Sequence, residues 1–334
     1  MLGSELPIAA APMAGGATTP ALVRAVTDAG GFAFLAAGYK TPDAVRAELD
    51  ALSGVEVGMN VFVPSPTSID PGTFRRYAAE LAPEGAPYDL DLADAPLVHD
   101  DDHWRDKIDL LLATPVPVVS FTFGLPPRPV VDALRGAGTR VLITVTNPAE
   151  ASAAQEAGAD GLVVQGREAG AHSGVHDPTA AIGDVALADL VRSCAVGLPI
   201  LAAGGVSDAA TVAALVSAGA DAVMAGTLLL RTDESGATET HKNALADPAF
   251  TETVLTKVFT GRPARGLRNG IIDRHQDHAP DGYPAVHHLT RGLRTAAAKA
   301  GDADRLHLWA GTGFRHAKTG PAAAVITGLA AELP

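Results

Sequence analysis

The chain has 334 residues, 47% of them hydrophobic and 19% charged, enough to bury a large core. Its formal net charge of −13 argues against duplex nucleic acid or an anionic membrane surface as partner. One cysteine excludes an intrachain disulfide, a cysteine-ligated iron–sulfur cluster or a zinc finger; no signal peptide or membrane-length apolar run is visible, so a cytoplasmic protein is expected.

The first predicted strand covers residues 7–11 and runs into Ala11-Pro12-Met13-Ala14-Gly15-Gly16-Ala17-Thr18-Thr19. A rigid bend with an apolar face can bed an aromatic ring, and Thr18 or Thr19 can cap the next helix; a plain tight turn fits this stretch equally well. An Ala-rich helix then ends in Ala29-Gly30 before a strand at 32–36. The third strand, 55–62, carries Asn60 among apolar residues. A buried amide needs partners, which either a cofactor edge or a neighbouring loop would supply. Residues 66–104 are rich in Pro and Asp and form an expected insertion; its Asp100-Asp101-Asp102, flanked by His99 and His103, suits a solvated loop better than a metal site.

Strands follow at 116–121, 140–145, 161–164, 199–203 and 222–225, three of them preceded by the same helix-ending Ala-Gly as the second. Glycine there supplies a left-handed helix cap, and uninterrupted apolar strands are those of a parallel sheet covered on both faces. Eight strands alternating with helices predict a (β/α)8 TIM barrel over residues 1–230. Residues 231–334, with helices at 239–246 and 289–300 and an apolar run at 322–333, are expected to form a smaller, mostly helical domain covering the barrel mouth. Cys194 falls at the buried end of a helix.

Chemistry is placed at the strand ends of such folds. The sixth strand runs into Gln165-Gly166-Arg167-Glu168-Ala169-Gly170-Ala171-His172-Ser173-Gly174. His172 in this glycine-rich loop suits a base held over a flat heterocycle, because imidazole titrates near neutrality. His172 and His176 have metal-ligand spacing only on a helix, and the surrounding residues predict a loop, so no metal is expected. The remaining histidines, including His241, His275, His278 and His307, are expected at the surface. Gly204-Gly205 follows the seventh strand, and Met224-Ala225-Gly226-Thr227 the eighth. Backbone N–H groups in those two loops commonly grip a phosphate. The pattern does not say whose phosphate: a flavin mononucleotide and a phosphosugar both fit.

Taken together, these motifs resemble the nitronate monooxygenase family, formerly the 2-nitropropane dioxygenases. The resemblance runs through Ala11–Gly16, Gly58–Phe62, Ser120–Gly124, the Gln165–Gly174 loop, both phosphate loops, Phe259–Arg265, Tyr283–His288 and Leu308–Gly313. It implies FMN held non-covalently, with Ala11, Pro12, Met13, Asn60, Gln165 and Gly170 around the ring and its chain. Gly204, Gly205 and Met224, Ala225, Gly226 and Thr227 would hold the phosphate. His172 would be the catalytic residue, and Tyr283 and His288 would line the substrate entrance. At one position the chain departs from the family: Ala171 stands where relatives have glycine, and a methyl group opposes positive φ there. The expected reaction oxidises alkyl nitronates or nitroalkanes with O₂ to a carbonyl compound and nitrite. His172 would either remove the α-proton or, protonated, stabilise the anion. Small-molecule substrate and O₂ are the expected partners, and a homo-oligomer is compatible with the sequence. The alternatives are an FMN-dependent NAD(P)H reductase of related fold (enoyl-thioester or quinone reductase) and a flavin-free phosphosugar isomerase or lyase.

Overall fold

The computed structural model describes residues 2–64 and 69–333. Eight parallel strands close into a barrel. In chain order they are β1 (Ile8–Ala10), β2 (Phe32–Ala36), β3 (Gly58–Phe62), β4 (Val118–Thr122), β5 (Arg140–Val145), β6 (Gly161–Gln165), β8 (Ile200–Ala203) and β9 (Ala222–Ala225). Between β6 and β8 lies the two-residue β7 (Ala171–His172), which leaves the barrel. β9 pairs with β1, Met224 opposite Ala9, and closes the ring.

The helices α1 (Pro20–Asp28), α2 (Pro42–Ala51), α4 (Trp104–Ala113), α5 (Arg128–Gly136), α6 (Pro148–Glu156), α7 (Leu187–Ser193) and α8 (Ala209–Ser217) follow successive barrel strands. Several start on a side-chain cap: Thr19, Thr41, Asn147 and Asp208 each accept from a backbone N–H in the first turn. The Ala-Gly pairs end helices as expected, with Gly30, Gly138, Gly158 and Gly219 all at positive φ. Phe32, Phe34, Val118, Leu142, Val163, Leu201 and Met224 fill the barrel interior, while the larger cluster lies between strands and helices. Cys194 is buried at the end of α7, as predicted.

The insertion differs from a simple solvated loop. Pro66, Thr67 and Ser68, its first residues, lie outside the described residues, but the next segment forms the fifteen-residue α3 (Pro71–Gly85). Its Phe74, Tyr77, Ala78 and Leu81 share a second core with Val258, Phe259, Ile271, Val286 and Leu293. The Asp-rich stretch is likewise tied down. Asp102 accepts from Tyr39 N at 2.9 Å and pairs with the buried Lys107 at 2.8 Å, and Asp100 pairs with His288.

Past the barrel come α9 (Glu239–Ala246), the antiparallel β10 (Thr253–Thr256) and β11 (Ala264–Leu267), α10 (Gly270–His275), α11 (Ala285–Ala300) and α12 (Ala322–Leu329). β11 also pairs with β7, making the three-stranded sheet β10-β11-β7 at the barrel mouth. The apolar α12 returns to the barrel, burying Ala322, Ile326 and Leu329 in the cluster shared with α1 and α8.

Candidate active site

A cavity of about 700 Å³ lies at the C-terminal ends of the barrel strands. Ala11, Pro12, Met13, Asn60, Gln165, Gly170, His172, Gly204, Gly205, Met224, Ala225, Gly226 and Thr227 all line it. Residues scattered over more than 200 positions thus meet because parallel strands all point one way.

The first loop is closed by Thr18, whose Oγ1 accepts from Met13 N at 2.9 Å and holds the Pro12-Met13 bend against the barrel. Asn60 solves its burial across the sheet: Nδ2 donates to Ser120 Oγ at 2.9 Å and to Thr122 Oγ1 at 3.0 Å. Gly204 and Gly205 take φ of +119° and +66°. A Cβ on Gly204 would lie 3.1 Å from Ala169 N, so the seventh loop needs glycine for both conformation and close approach. Thr227 Oγ1 accepts from Gly311 N at 2.9 Å, which binds the eighth loop to the Leu308–Gly313 segment.

The His172 loop is a strap rather than a free loop. β7 pairs with β11, His172 opposite Ala264 and Ala171 opposite Arg265. Ala171 adopts φ +61° in spite of its methyl group, the left-handed turn that glycine would take there. The pairing with β11 over-determines a conformation that costs an isolated alanine about 1–2 kcal/mol. Gln165 clamps the strap from below. Its Nε2 donates to His172 O at 3.1 Å, and its Oε1 accepts from Gly174 N at 2.6 Å. Gly170 passes so near the Leu308–Gly313 segment that a Cβ would lie 2.5 Å from Gly311 N.

Phe123, Tyr283 and Trp309 surround the His172 ring, with centroids 5.6, 5.8 and 5.7 Å away. Burial, reinforced by the charges of Arg262 and Arg294, lowers its pKa to about 3. The ring is therefore neutral at pH 7, with a lone pair free to accept a proton and no charge to anchor an anion, although the same burial makes it a weaker base than free imidazole. Both guanidiniums are themselves buried. Arg262 stacks on Phe123 at 4.0 Å, and Arg294 donates to Thr290 Oγ1 and His287. Neither pairs with a carboxylate among the described residues.

Two expected entrance residues are placed differently. His288 does not line the cavity; it points to Asp100 on the outer side of α11. The next residue around the helix, His287, lines the cavity instead and stacks on Tyr39 at 4.0 Å. Tyr283 stands behind His172 and Phe123 rather than on the cavity wall. The expected surface placement also fails for three histidines. His241 and His307 line the cavity, and His275 is buried between Glu80 and Glu84 at 2.9 Å from each. Their local sequence is polar; His241 and His307 are covered where the later segments fold over the mouth, and His275 where α10 packs on α3. Residue reasoning also gave no role to Tyr39, Thr260, His287 or Arg294; the Phe259–Arg265 motif pointed to Thr260 without a function. A second cavity of about 500 Å³ backs onto Gln165, Ala169 and Ala171 but is not lined by His172. No cluster with metal-ligand composition occurs among the described residues.

A glycine-built lobe between the last two barrel loops, an apolar bend and a neutral imidazole on one wall define a phosphate-binding barrel enzyme of the kind that holds a flavin or a phosphosugar. The sequence narrows this further: the profile of the nitronate monooxygenase family matches residues 2–332, and the chain belongs to that family of flavoenzymes. It is 36% identical to a probable nitronate monooxygenase of Staphylococcus saprophyticus over 93% of this chain and 90% of that protein. A probable nitronate monooxygenase of Staphylococcus aureus is 35% identical over 98% and 94%. Among solved structures, a nitroalkane oxidase from Streptomyces ansochromogenes superimposes with a TM-score of 0.94 at 48% identity, covering 99% of this chain and 96% of that one. FabK from Thermotoga maritima aligns with a TM-score of 0.76 at 26% identity, over 99% and 93%.

Proposed function

We propose that this enzyme uses FMN and O₂ to oxidise alkyl nitronates, and nitroalkanes after loss of their α-proton, to carbonyl compounds and nitrite. The observation that carries this reading is a half-buried, neutral His172 on the wall of the cavity whose far end is the Gly204–Gly205 and Gly226–Thr227 backbone cradle. That cradle fits a ribityl phosphate, and the Pro12-Met13 bend and Asn60 fit the ring. Bound FMN would supply one-electron oxidation of the nitronate. The chain's own residues do the rest. The described lining contains Arg291, Arg294 and Lys299, together with Lys40 paired to Glu48, and no carboxylate, which favours an anion inside. His172 accepts the α-proton of a neutral nitroalkane, and Phe123, Trp309 and Tyr283 exclude water around it. The segment from α9 to α11 and the Leu308–Gly313 stretch act as the cover over this site, whereas α12 packs back on the barrel, and we assign the enzyme to the cytoplasm on its single buried cysteine and acidic balance.

His172→Asn tests the reading. The variant should keep its flavin spectrum while nitrite release from a neutral nitroalkane falls by roughly 10²–10⁴, the usual worth of a general base. Undiminished turnover removes the base assignment. Anaerobic bleaching by NADH or NADPH would move the enzyme to the reductases of related fold, and a colourless protein to the phosphosugar enzymes.

A further inference from the structure

A histidine that acts as a base through one nitrogen needs its proton held on the other. His172 Nε2 lies 2.8 Å from Thr260 Oγ1. The same hydroxyl lies 3.2 Å from the backbone oxygen of Arg262, in a hydrogen-bonding geometry. Thr260 is 1% exposed and its hydroxyl has a single proton to give. Given to the Arg262 carbonyl, that proton leaves an oxygen lone pair facing Nε2, which must then carry hydrogen. Given to Nε2 instead, it leaves two oxygens facing each other and the carbonyl without this donor, the poorer arrangement around a hydroxyl on a residue only 1% exposed. Nδ1 has no hydrogen-bond partner among the described residues, and the ring lines the cavity.

We propose that Thr260 is a positioning residue that holds His172 as the Nε2–H tautomer and leaves the Nδ1 lone pair as the base. This rests on the reading of His172 as base. In the step it serves, the α-C–H bond of a neutral nitroalkane breaks. Its proton goes to Nδ1, and its electron pair becomes the C=N bond of the nitronate. The imidazolium so formed keeps its Nε2–H bond to Thr260, while the nitronate balances its charge. A nitronate supplied as such has no proton to lose and makes no use of Thr260. The tautomer therefore separates two substrates that enter the same cavity.

The test uses the flavin-loaded enzyme labelled with ¹⁵N-histidine, with the His172 signals assigned by their loss in His172→Asn. The wild type and Thr260→Ser should show a protonated Nε2 and an unprotonated Nδ1. Thr260→Val, nearly the same in volume, should show mixed tautomers. Its kcat with a neutral nitroalkane should fall roughly tenfold or more, a part of the worth of the base, while kcat with preformed nitronate stays close to wild type. Thr260→Ser should restore the ratio of the two rates. A wild-type His172 protonated on Nδ1 overturns the proposal, and so does an unchanged nitroalkane-to-nitronate ratio in Thr260→Val. If Thr260→Val does not fold, the wild-type tautomer decides alone. Unchanged nitroalkane turnover in His172→Asn would instead remove the base reading itself. Loss there with no effect in Thr260→Val refutes only the role of Thr260.

Discussion

Acid should weaken this protein well before its carboxylates titrate, because several histidines are buried neutral. His172 is lowered to about 3 and His241 to about 4, both chiefly by burial. His287 and His307 are lowered by the same cause. In the unfolded chain each would titrate near 6.5. Between those values the unfolded state binds more protons than the fold, so the stabilisation is full above about pH 6.5 and is lost as pH falls towards the folded values. At pH 5 the loss is about 2 kcal/mol for each of His172 and His241 if the whole shift acts. Both rings line a cavity that solvent can enter, and halving the figure for that leaves about 2 kcal/mol for the two together. With an unfolding entropy of about 0.7 kcal/mol/K for 334 residues, Tm should drop by about 3 °C between pH 7 and pH 5 from these two groups alone. His287 and His307 push in the same direction. The assay is thermal unfolding followed by circular dichroism across this pH range. His241→Gln, whose amide can still donate to Trp309 O as His241 Nε2 does at 3.0 Å, should flatten the slope. A Tm that does not change from pH 7 to pH 5, or a variant with the wild-type slope, refutes the reasoning.

Three further outcomes follow from the packing. Gly170→Ala places a methyl group 2.5 Å from Gly311 N, so the strap or the Leu308–Gly313 segment must shift; we expect a loss of about 1–3 kcal/mol in urea unfolding and weaker flavin retention on gel filtration. Lys107→Met strands Asp102 in a buried position and should cost about 3–5 kcal/mol, whereas combining it with Asp102→Asn should recover much of that; denaturant midpoints of the single and double variants check this. His288→Ala removes a partly exposed pair with Asp100 outside the cavity, so stability should change by less than about 1 kcal/mol and steady-state nitrite release should match wild type.

The barrel was legible in the chain because its determinants are local and repeat. Each unit carries an apolar strand, an Ala-rich helix and a glycine that ends it, and parallel strands buried on both faces show as unbroken apolar runs. The thirteen candidate residues that line the cavity were legible for the same reason: most sit in or just past the C-terminal end of a barrel strand, and the direction of the strands brings all those ends together. The family motifs that mark these loops are contiguous in sequence. What lay beyond sequence depends on contacts between distant segments, where local composition carries no information. Polar surroundings hid the burial of His241, His275 and His307. The choice between His287 and His288 is one step of about 100° around α11, decided by how that helix docks on the mouth. Thr260 reaches His172 across 88 positions through the pairing of β7 with β11. Ala171 keeps its left-handed turn because that same pairing holds it there. Sequence alone determined the barrel and the strand-end loops that floor the cavity; tertiary structure decided which residues of the later segments close over it, which way the imidazole faces and what holds its proton, because burial and partnership are properties of the packed whole.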